Sequence, residues 1–174
     1  MYKLNPGNTT ATNIYTYSSN GVTTGTSLTA TLYAGAATGN STLGIFAFGH
    51  SALATNIYTY SSNGVVTGTN LTGGFNVGAA TGNSTLGIFA LGDTAVTTNI
   101  YTYSSNGVTT GTSLAAASVW GAAAGNSTLG IFALGNTAVT TNIYTYSSNG
   151  VTTGTNLTAI LYLGAAASST PGGF

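Results

Sequence analysis

The chain has 174 residues, of which 43% are hydrophobic, which is enough apolar material for one folded domain or a short array of repeats. Its charge is very low: Lys3 is the single basic residue, Asp93 is the single acidic residue, and Cys is absent. One Lys cannot neutralise a nucleic-acid backbone or hold the chain on an anionic membrane, and without Cys neither disulfides nor thiolate metal sites can form.

The N-terminal residues give no sign of a secretory signal, because the charge of Lys3 is not followed by an apolar core segment. Apolar stretches elsewhere, such as residues 86–91, are far too short for a membrane helix. We therefore expect no membrane insertion. The side chains that face solvent must be the neutral hydroxyls and amides of Thr, Ser, Asn and Tyr.

An internal repeat of 43 residues dominates the sequence. Four copies of the segment Asn-Ile-Tyr-Thr-Tyr-Ser-Ser-Asn-Gly begin at Asn13, Asn56, Asn99 and Asn142. Three copies of a second segment, Gly-Asn-Ser-Thr-Leu-Gly-Ile-Phe-Ala, begin at Gly39, Gly82 and Gly125. A period of about 40 to 50 residues is typical of propeller blades and of some helical repeats.

Local propensities favour strands over helices, since each copy is rich in Thr, Tyr, Val, Ile and Gly. In chain order, the pattern predicts strands over residues 13–18, 22–26, 29–37 and 43–48. The dipeptide Asn20-Gly21 predicts a two-residue hairpin turn, because both residues tolerate positive φ. The sequence Thr-Gly-Asn-Ser at 38–41 predicts a second turn.

The composition of two strands indicates how the repeats pack. The strand at 43–48 is apolar on both faces, which is typical of a strand buried between neighbouring sheets. The strand at 29–37 ends in Gly-Ala-Ala, and such small residues suit the crowded innermost position of a propeller. Four antiparallel strands per repeat make one blade, so the sequence predicts an all-β fold, a β-propeller of four four-stranded blades.

The two ends of the chain predict a shared blade. Residues 1–28 align with the second, third and fourth strands of a repeat, and residues 157–174 align with a first strand. We therefore expect one domain over 1–174, with a closing blade from 1–28 and 157–174 and complete blades at 29–71, 72–114 and 115–156. Such pairing would remove exposed sheet edges. The alternative is an open array whose ends pair with another chain, in a larger ring or a filament.

The combination of Gly-Ile-Phe-Ala-Leu-Gly, Asn-Ile-Tyr-Thr-Tyr and a Gly-Ala-Ala run resembles a kelch blade. More specifically, it is similar to the kelch-like Tyr-Thr-Tyr repeats of uncharacterised bacterial and phage proteins. It departs from the kelch pattern at Gly49, Gly92 and Gly135, which stand singly where a double Gly is usual, and it lacks the Trp of the fourth strand. The resemblance implies the propeller fold and a virion or cell-surface role, and it leaves the ligand open.

The copies differ from one another mainly in two windows. The first window covers 29–34, 72–77, 115–120 and 158–163, and the second covers 48–54 and its equivalents. In a propeller, the loop entering the first strand and the loop between the second and third strands lie on one face. We therefore predict a ligand-binding face at one mouth of the channel. Its candidate residues are Tyr33, Phe75, Asn76, Trp120, Tyr162, His50, Asp93 and Asn136.

A second interpretation of the windows is that unlike side chains only break the symmetry so that the inner strands can pack. Trp120 is then a plug of the channel, and in the first interpretation it is a platform for a ligand.

Catalysis is not expected from this composition. Asp93 is the only carboxylate side chain and His50 the only imidazole, and they occupy equivalent positions of successive repeats, which separates them. The chain has neither the paired carboxylates of a glycosidase nor the ligands of a calcium or zinc site. We expect no enzyme activity and no cofactor.

The sequence thus predicts a non-catalytic structural or adhesive module that binds a glycan or a protein through its variable face. Aromatic rings and neutral hydrogen-bonding groups suit the apolar faces and hydroxyls of sugars. One alternative is a structural subunit that self-assembles into a capsid, tail or filament, which near-zero charge favours. Another is ice binding by Thr arrays such as residues 23–26.

Overall fold

The computed structural model describes residues 12–16, 21–30, 34–49, 53–74, 78–92, 95–117, 120–135 and 139–160, and it leaves the side chains of 13–16 and 95 undescribed. Within these residues the chain forms fourteen β-strands and no helix. The all-β prediction is confirmed for this part of the chain.

The strands form one hairpin and three four-stranded antiparallel sheets. The N-terminal hairpin consists of β1 (Thr12–Thr16) and β2 (Gly21–Gly25). Blade I contains β3 (Ala36–Gly39), β4 (Leu43–Ala47), β5 (Thr55–Thr59) and β6 (Gly64–Thr67). Blade II contains β7 (Ala79–Gly82), β8 (Leu86–Gly92), β9 (Ala95–Thr102) and β10 (Gly107–Gly111). Blade III contains β11 (Ala122–Gly125), β12 (Leu129–Ala133), β13 (Thr141–Thr145) and β14 (Gly150–Thr153). In each sheet, strands that are adjacent in sequence are adjacent in space.

The three blades pack side by side through their first strands, because β7 contacts both β3 and β11. Two apolar clusters, built largely from equivalent residues, fill the spaces between blades. Between blades II and III, Ile88 of β8 packs with Phe132 and Tyr144 of the following blade. Ile88 and Phe89 are both fully buried although they point to opposite faces of β8, which confirms that this strand is covered on both sides.

The predicted first strand at 29–37 is partly wrong, because the observed strand β3 begins only at Ala36 and ends at Gly39. Thr29 and Ala30 lie in a bend, where the Thr29 N–H bonds to the side chain of Asn56 instead of to the backbone of a neighbouring strand. The inner position of this strand is as expected, and its small side chains allow the close approach of β3, β7 and β11.

Asn20 of the predicted two-residue turn at Asn20-Gly21 lies outside the described residues, and Gly21 pairs with Thr16 as part of the outer strand. The prediction is wrong for the copy in blade I, where Gly64 likewise belongs to the outer strand. The equivalent turn of blade I spans residues 60–63, with Asn63 in a left-handed conformation at φ 51°. Asn tolerates this conformation better than most residues, and its side chain has a partner outside the hairpin.

The partner of each turn asparagine is a threonine of the preceding repeat, and we call this repeated contact the Thr–Asn latch. Thr69, just after the outer strand of blade I, donates its N–H to Asn106 Oδ1 of blade II over 2.9 Å. The Thr69 hydroxyl donates to the Asn106 carbonyl, and the Tyr101 hydroxyl donates to the same Oδ1. Equivalent latches are Thr26–Asn63, from the N-terminal hairpin to blade I, and Thr112–Asn149, from blade II to blade III.

At two of the latches, a glycine (Gly68 or Gly111) allows a tyrosine of the next blade to approach. A Cβ atom at Gly111 of blade II would lie 2.5 Å from Tyr144 Oη of blade III and 2.4 Å from Thr98 Oγ1. Both distances are shorter than van der Waals contact, so a larger residue would push the two blades apart at the latch.

The buried tyrosines predict how stability depends on pH. Burial raises the pKa of Tyr103 to about 12, and burial also raises the pKa of Tyr146. An unfolded tyrosine titrates near pH 10, so above that value the unfolded chain loses protons that the folded chain keeps. Stability is then fully present below about pH 10 and is lost as the pH rises toward about 12, by about 2 to 3 kcal/mol for Tyr103. Asp93 and His50 are the only side chains of types that titrate at acid or neutral pH, so we expect little pH dependence there.

Denaturant unfolding across a pH series measures this effect. The variant Tyr103→Phe should be less stable at neutral pH, because Thr38 loses its 3.3 Å hydroxyl partner, yet it should lose less stability between about pH 10 and 12. An equal alkaline loss in both proteins would contradict the assignment.

Candidate functional site

The two variable windows meet at one end of each blade. Leu71, in the loop that leaves blade I, donates its N–H to the carbonyl of Leu53, in the loop between β4 and β5, over 2.8 Å. The same 2.8 Å bond joins Leu114 to Val96 in blade II, and Leu157 to Val139 in blade III. We call this end of the blades the variable end.

A buried asparagine holds the loop that enters each blade. Asn56, Asn99 and Asn142 are fully buried, and each accepts a backbone N–H at Oδ1. Asn99 accepts from Thr72 N at 2.9 Å, and its amide nitrogen donates to Thr72 Oγ1 at 2.7 Å. The Asn99 side chain thus fixes Thr72, the first residue of the variable window, onto the third strand of blade II.

Sequence reasoning did not single out these asparagines, because Asn in Asn-Ile-Tyr-Thr-Tyr is invariant among the copies and lies inside a predicted strand. A signal was present, since a polar amide at a position facing a core must be hydrogen-bonded. Its partner lies 27 residues away and could not be read from local pattern.

Trp120 is the one predicted site residue that the structure describes. It precedes β11 and adopts a left-handed conformation at φ 55°. The equivalent residue of blade I, Ala34, has φ 50°. The indole is 36% exposed, so it lies at a surface and is not enclosed. The backbone at this position is therefore the same in two blades while the side chain changes from a methyl group to an indole.

The other seven predicted site residues lie outside the described residues. They are Tyr33, Phe75, Asn76, Tyr162, His50, Asp93 and Asn136.

Two apolar side chains at the variable end were not among the predicted site residues. Leu53 is 41% exposed and Val96 is 36% exposed, and both lie in the second window, Leu53 just before β5 and Val96 near the start of β9. Together with Trp120 they add apolar surface to this end of the blades. The variation of this window was visible in the sequence, but exposure depends on the blade geometry.

The opposite end of the blades is nearly constant in sequence and polar. Asn83 accepts the N–H groups of Thr85 and Leu86 at Oδ1, which closes the turn between β7 and β8. Its amide nitrogen donates to the Ser127 carbonyl of blade III over 3.1 Å. This asparagine lines a cleft of about 220 Å³ between the two blades. Its polar groups are used within the protein, so this end is interpreted as structural.

The described residues contain no group of three or more His, Cys, Asp or Glu side chains that could hold a metal ion. None of them forms a helix long and apolar enough to cross a membrane.

No protein-family model matches the chain, and no curated protein matches it. The kelch-like resemblance therefore stays a prediction from the residues.

The buried amides predict a graded loss of stability. Asn99→Ala removes the acceptor of Thr72 N and the donor to Thr72 Oγ1, and should lower the free energy of unfolding by about 2 to 4 kcal/mol. Asn142→Ala should cost about 1 kcal/mol less, because its partner, Ala115, has no hydroxyl to lose.

Equilibrium denaturation of both variants provides the comparison. Equal losses, or a larger loss for Asn142→Ala, would show that the amides do not hold the loops in the way described.

Proposed function

We propose that this protein is a non-catalytic structural or adhesive β-propeller that binds a glycan or a protein at its variable end. The observation that carries the proposal is that equivalent positions keep one backbone conformation while presenting unlike side chains, as at Ala34 and Trp120. A left-handed conformation costs about 1 to 2 kcal/mol for such residues. The backbone adopts this unfavourable conformation in both blades, so this position is suited to presenting different side chains outward.

The surroundings of Trp120 support a platform more than a plug. A plug of the channel would be enclosed, whereas the indole is 36% exposed. Exposed aromatic rings bind the apolar faces of sugars and also anchor protein partners. A place on a virion or cell surface is part of the proposal and is supported by the kelch-like resemblance alone.

Charge limits the partners that this surface can accept. The whole sequence has one basic and one acidic side chain, so ion pairs can supply little of the specificity. Recognition must rely on hydrogen bonds from neutral groups and on apolar contact, which suits a neutral glycan or an uncharged protein surface.

We also propose that the blades close into a ring of four. The described blades leave two outer flanks, one on blade III and one on blade I. These flanks correspond to the two opposite sides of the interface that recurs between neighbouring blades. Ile45 and Ile88 are fully buried by the following blade, whereas the equivalent Ile131 is 47% exposed. On the other flank, Tyr60 is 51% exposed, whereas the equivalent Tyr103 is 6% exposed.

A fourth blade assembled from residues 1–28 and 157–174 would cover both flanks. Its outer half, the N-terminal hairpin, is already attached to blade I through Thr26 and Asn63. Leu28 beside this latch is buried, as are its equivalents Leu71 and Leu114. The remaining equivalent, Leu157, is 36% exposed at the flank of blade III, where the fourth blade would dock.

A pair of lysine variants tests closure. In a closed ring, Ile131→Lys buries an unpaired charge and should destabilise the protein by several kcal/mol, as we expect also of Ile88→Lys at the buried equivalent position. Light scattering at low concentration should at the same time give the mass of one chain, 17.1 kDa. If Ile131→Lys folds while Ile88→Lys does not, the flank of blade III is open. If the measured mass is a multiple of 17.1 kDa, the ring closes between chains.

The binding proposal is tested on a glycan array and against surface proteins of candidate hosts. Trp120→Ala should weaken binding by about tenfold or more, as expected for a central aromatic anchor, and should fold normally because Ala34 occupies the equivalent backbone. Ser84→Ala, on an exposed residue of the opposite end, is the matched control and should leave binding unchanged. Binding that is unaffected by Trp120→Ala, or no binding to any glycan or protein tested, would contradict the proposal.

A further inference from the structure

The outer strand of each described blade has one unpaired edge. Strands β6, β10 and β14 stand last in their sheets and pair on one side only among the described residues. They are short and share the sequence Gly-Val followed by Val or Thr and then Thr. This edge is separate from the variable end and from the flanks that a closing blade would cover.

The hydrogen bonds of blade I show which backbone groups face outward. Gly68 donates its N–H to the Thr55 carbonyl over 2.9 Å, so these two residues form a hydrogen-bonded pair of the ladder. In an antiparallel ladder every second residue faces its neighbour, so Val66 also faces β5. Val65 and Thr67 therefore turn their N–H and C=O groups away from the sheet.

Blade III repeats this arrangement. Gly154 donates its N–H to the Thr141 carbonyl over 2.9 Å. By the same alternation, Val151 and Thr153 direct two N–H and two C=O groups away from β14. Each blade thus offers an identical short row of two donors and two acceptors.

These edges lack the features by which proteins usually prevent pairing between molecules. Natural edge strands carry Lys, Pro, inward-pointing charges or bulges. The outer strands here contain only Gly, Val and Thr, and the latter two favour strands. With one basic and one acidic residue in the whole sequence, two copies of the chain do not repel each other.

We propose that the outer edges pair antiparallel with the outer edges of a second copy of this chain, joining two blades into one continuous sheet. Antiparallel pairing of two identical edges is two-fold symmetric and needs no second kind of surface. Four backbone hydrogen bonds make each contact weak. Because every chain carries several such edges at different directions around the blades, contacts add up and build a larger assembly.

The equivalent residues Val66, Thr109 and Thr152 give the most direct test. Their side chains are exposed on the outer strands, so a lysine there is tolerated by the fold but brings like charges together across a paired edge. The test protein carries Val66→Lys, Thr109→Lys and Thr152→Lys. The matched control carries Ser61→Lys, Ser104→Lys and Ser147→Lys, which add the same charge at exposed turn positions.

Sedimentation and light scattering over a concentration series provide the readout. The unmodified chain and the turn variant should rise in average mass with concentration, whereas the edge variant should stay at 17.1 kDa. Circular dichroism checks that each variant is folded. If the edge variant unfolds, Thr67→Pro, Thr110→Pro and Thr153→Pro replace it, since they remove outward N–H groups and leave the internal ladder intact.

Three results would overturn the proposal. One is an unmodified chain that keeps the mass of a single copy at its solubility limit. Another is an equal loss of association in the turn variant, which would mean general charge repulsion. The third is association that survives the edge variant but is removed by Ile131→Lys, which would assign the contact to the blade flanks and count against ring closure instead.

Discussion

The structure depends on one repeated contact between blades, in which a threonine after the outer strand of one blade is held by the turn asparagine of the next. At Thr69 both the N–H and the hydroxyl are bonded to Asn106, and Tyr101 bonds to the same side chain. This contact fixes the spacing of the blades, and the apolar clusters then fill the space between them. The direction is constant, because the donor always comes from the preceding blade.

The near-absence of charged side chains explains several other features of the molecule. Specific contacts between blades must be made by neutral hydroxyl and amide groups, and buried amides such as Asn99 take the place that ion pairs have elsewhere. The same composition leaves the outer edges without charge repulsion. Ligand binding and self-assembly are thus proposed for different surfaces of one neutral scaffold.

Much of the fold was predictable from the sequence, since a fixed period, strand-forming residues and an apolar second strand are all local signals. The four-residue turn at 60–63 was not, because local preference favours a two-residue hairpin at Asn63-Gly64, whereas Asn63 is bonded to Thr26 of the N-terminal hairpin. Similarly, Asn99 lies within a predicted strand, and its partner is distant in sequence. At the site, variation between copies singled out Trp120 but left open whether it is a plug or a platform, and its exposure and that of Leu53 and Val96 follow only from the packing of the blades.

Amide hydrogen exchange at Thr69 and Thr112 tests the central role of the latch most directly. Both residues lie outside the strands and are exposed, so an ordinary loop amide at these positions would exchange rapidly. The latch predicts that both amides exchange as slowly as those of the buried strand β8, and only through global unfolding. Fast exchange at Thr69 and Thr112 while β8 stays protected would show that the blades are held together without it.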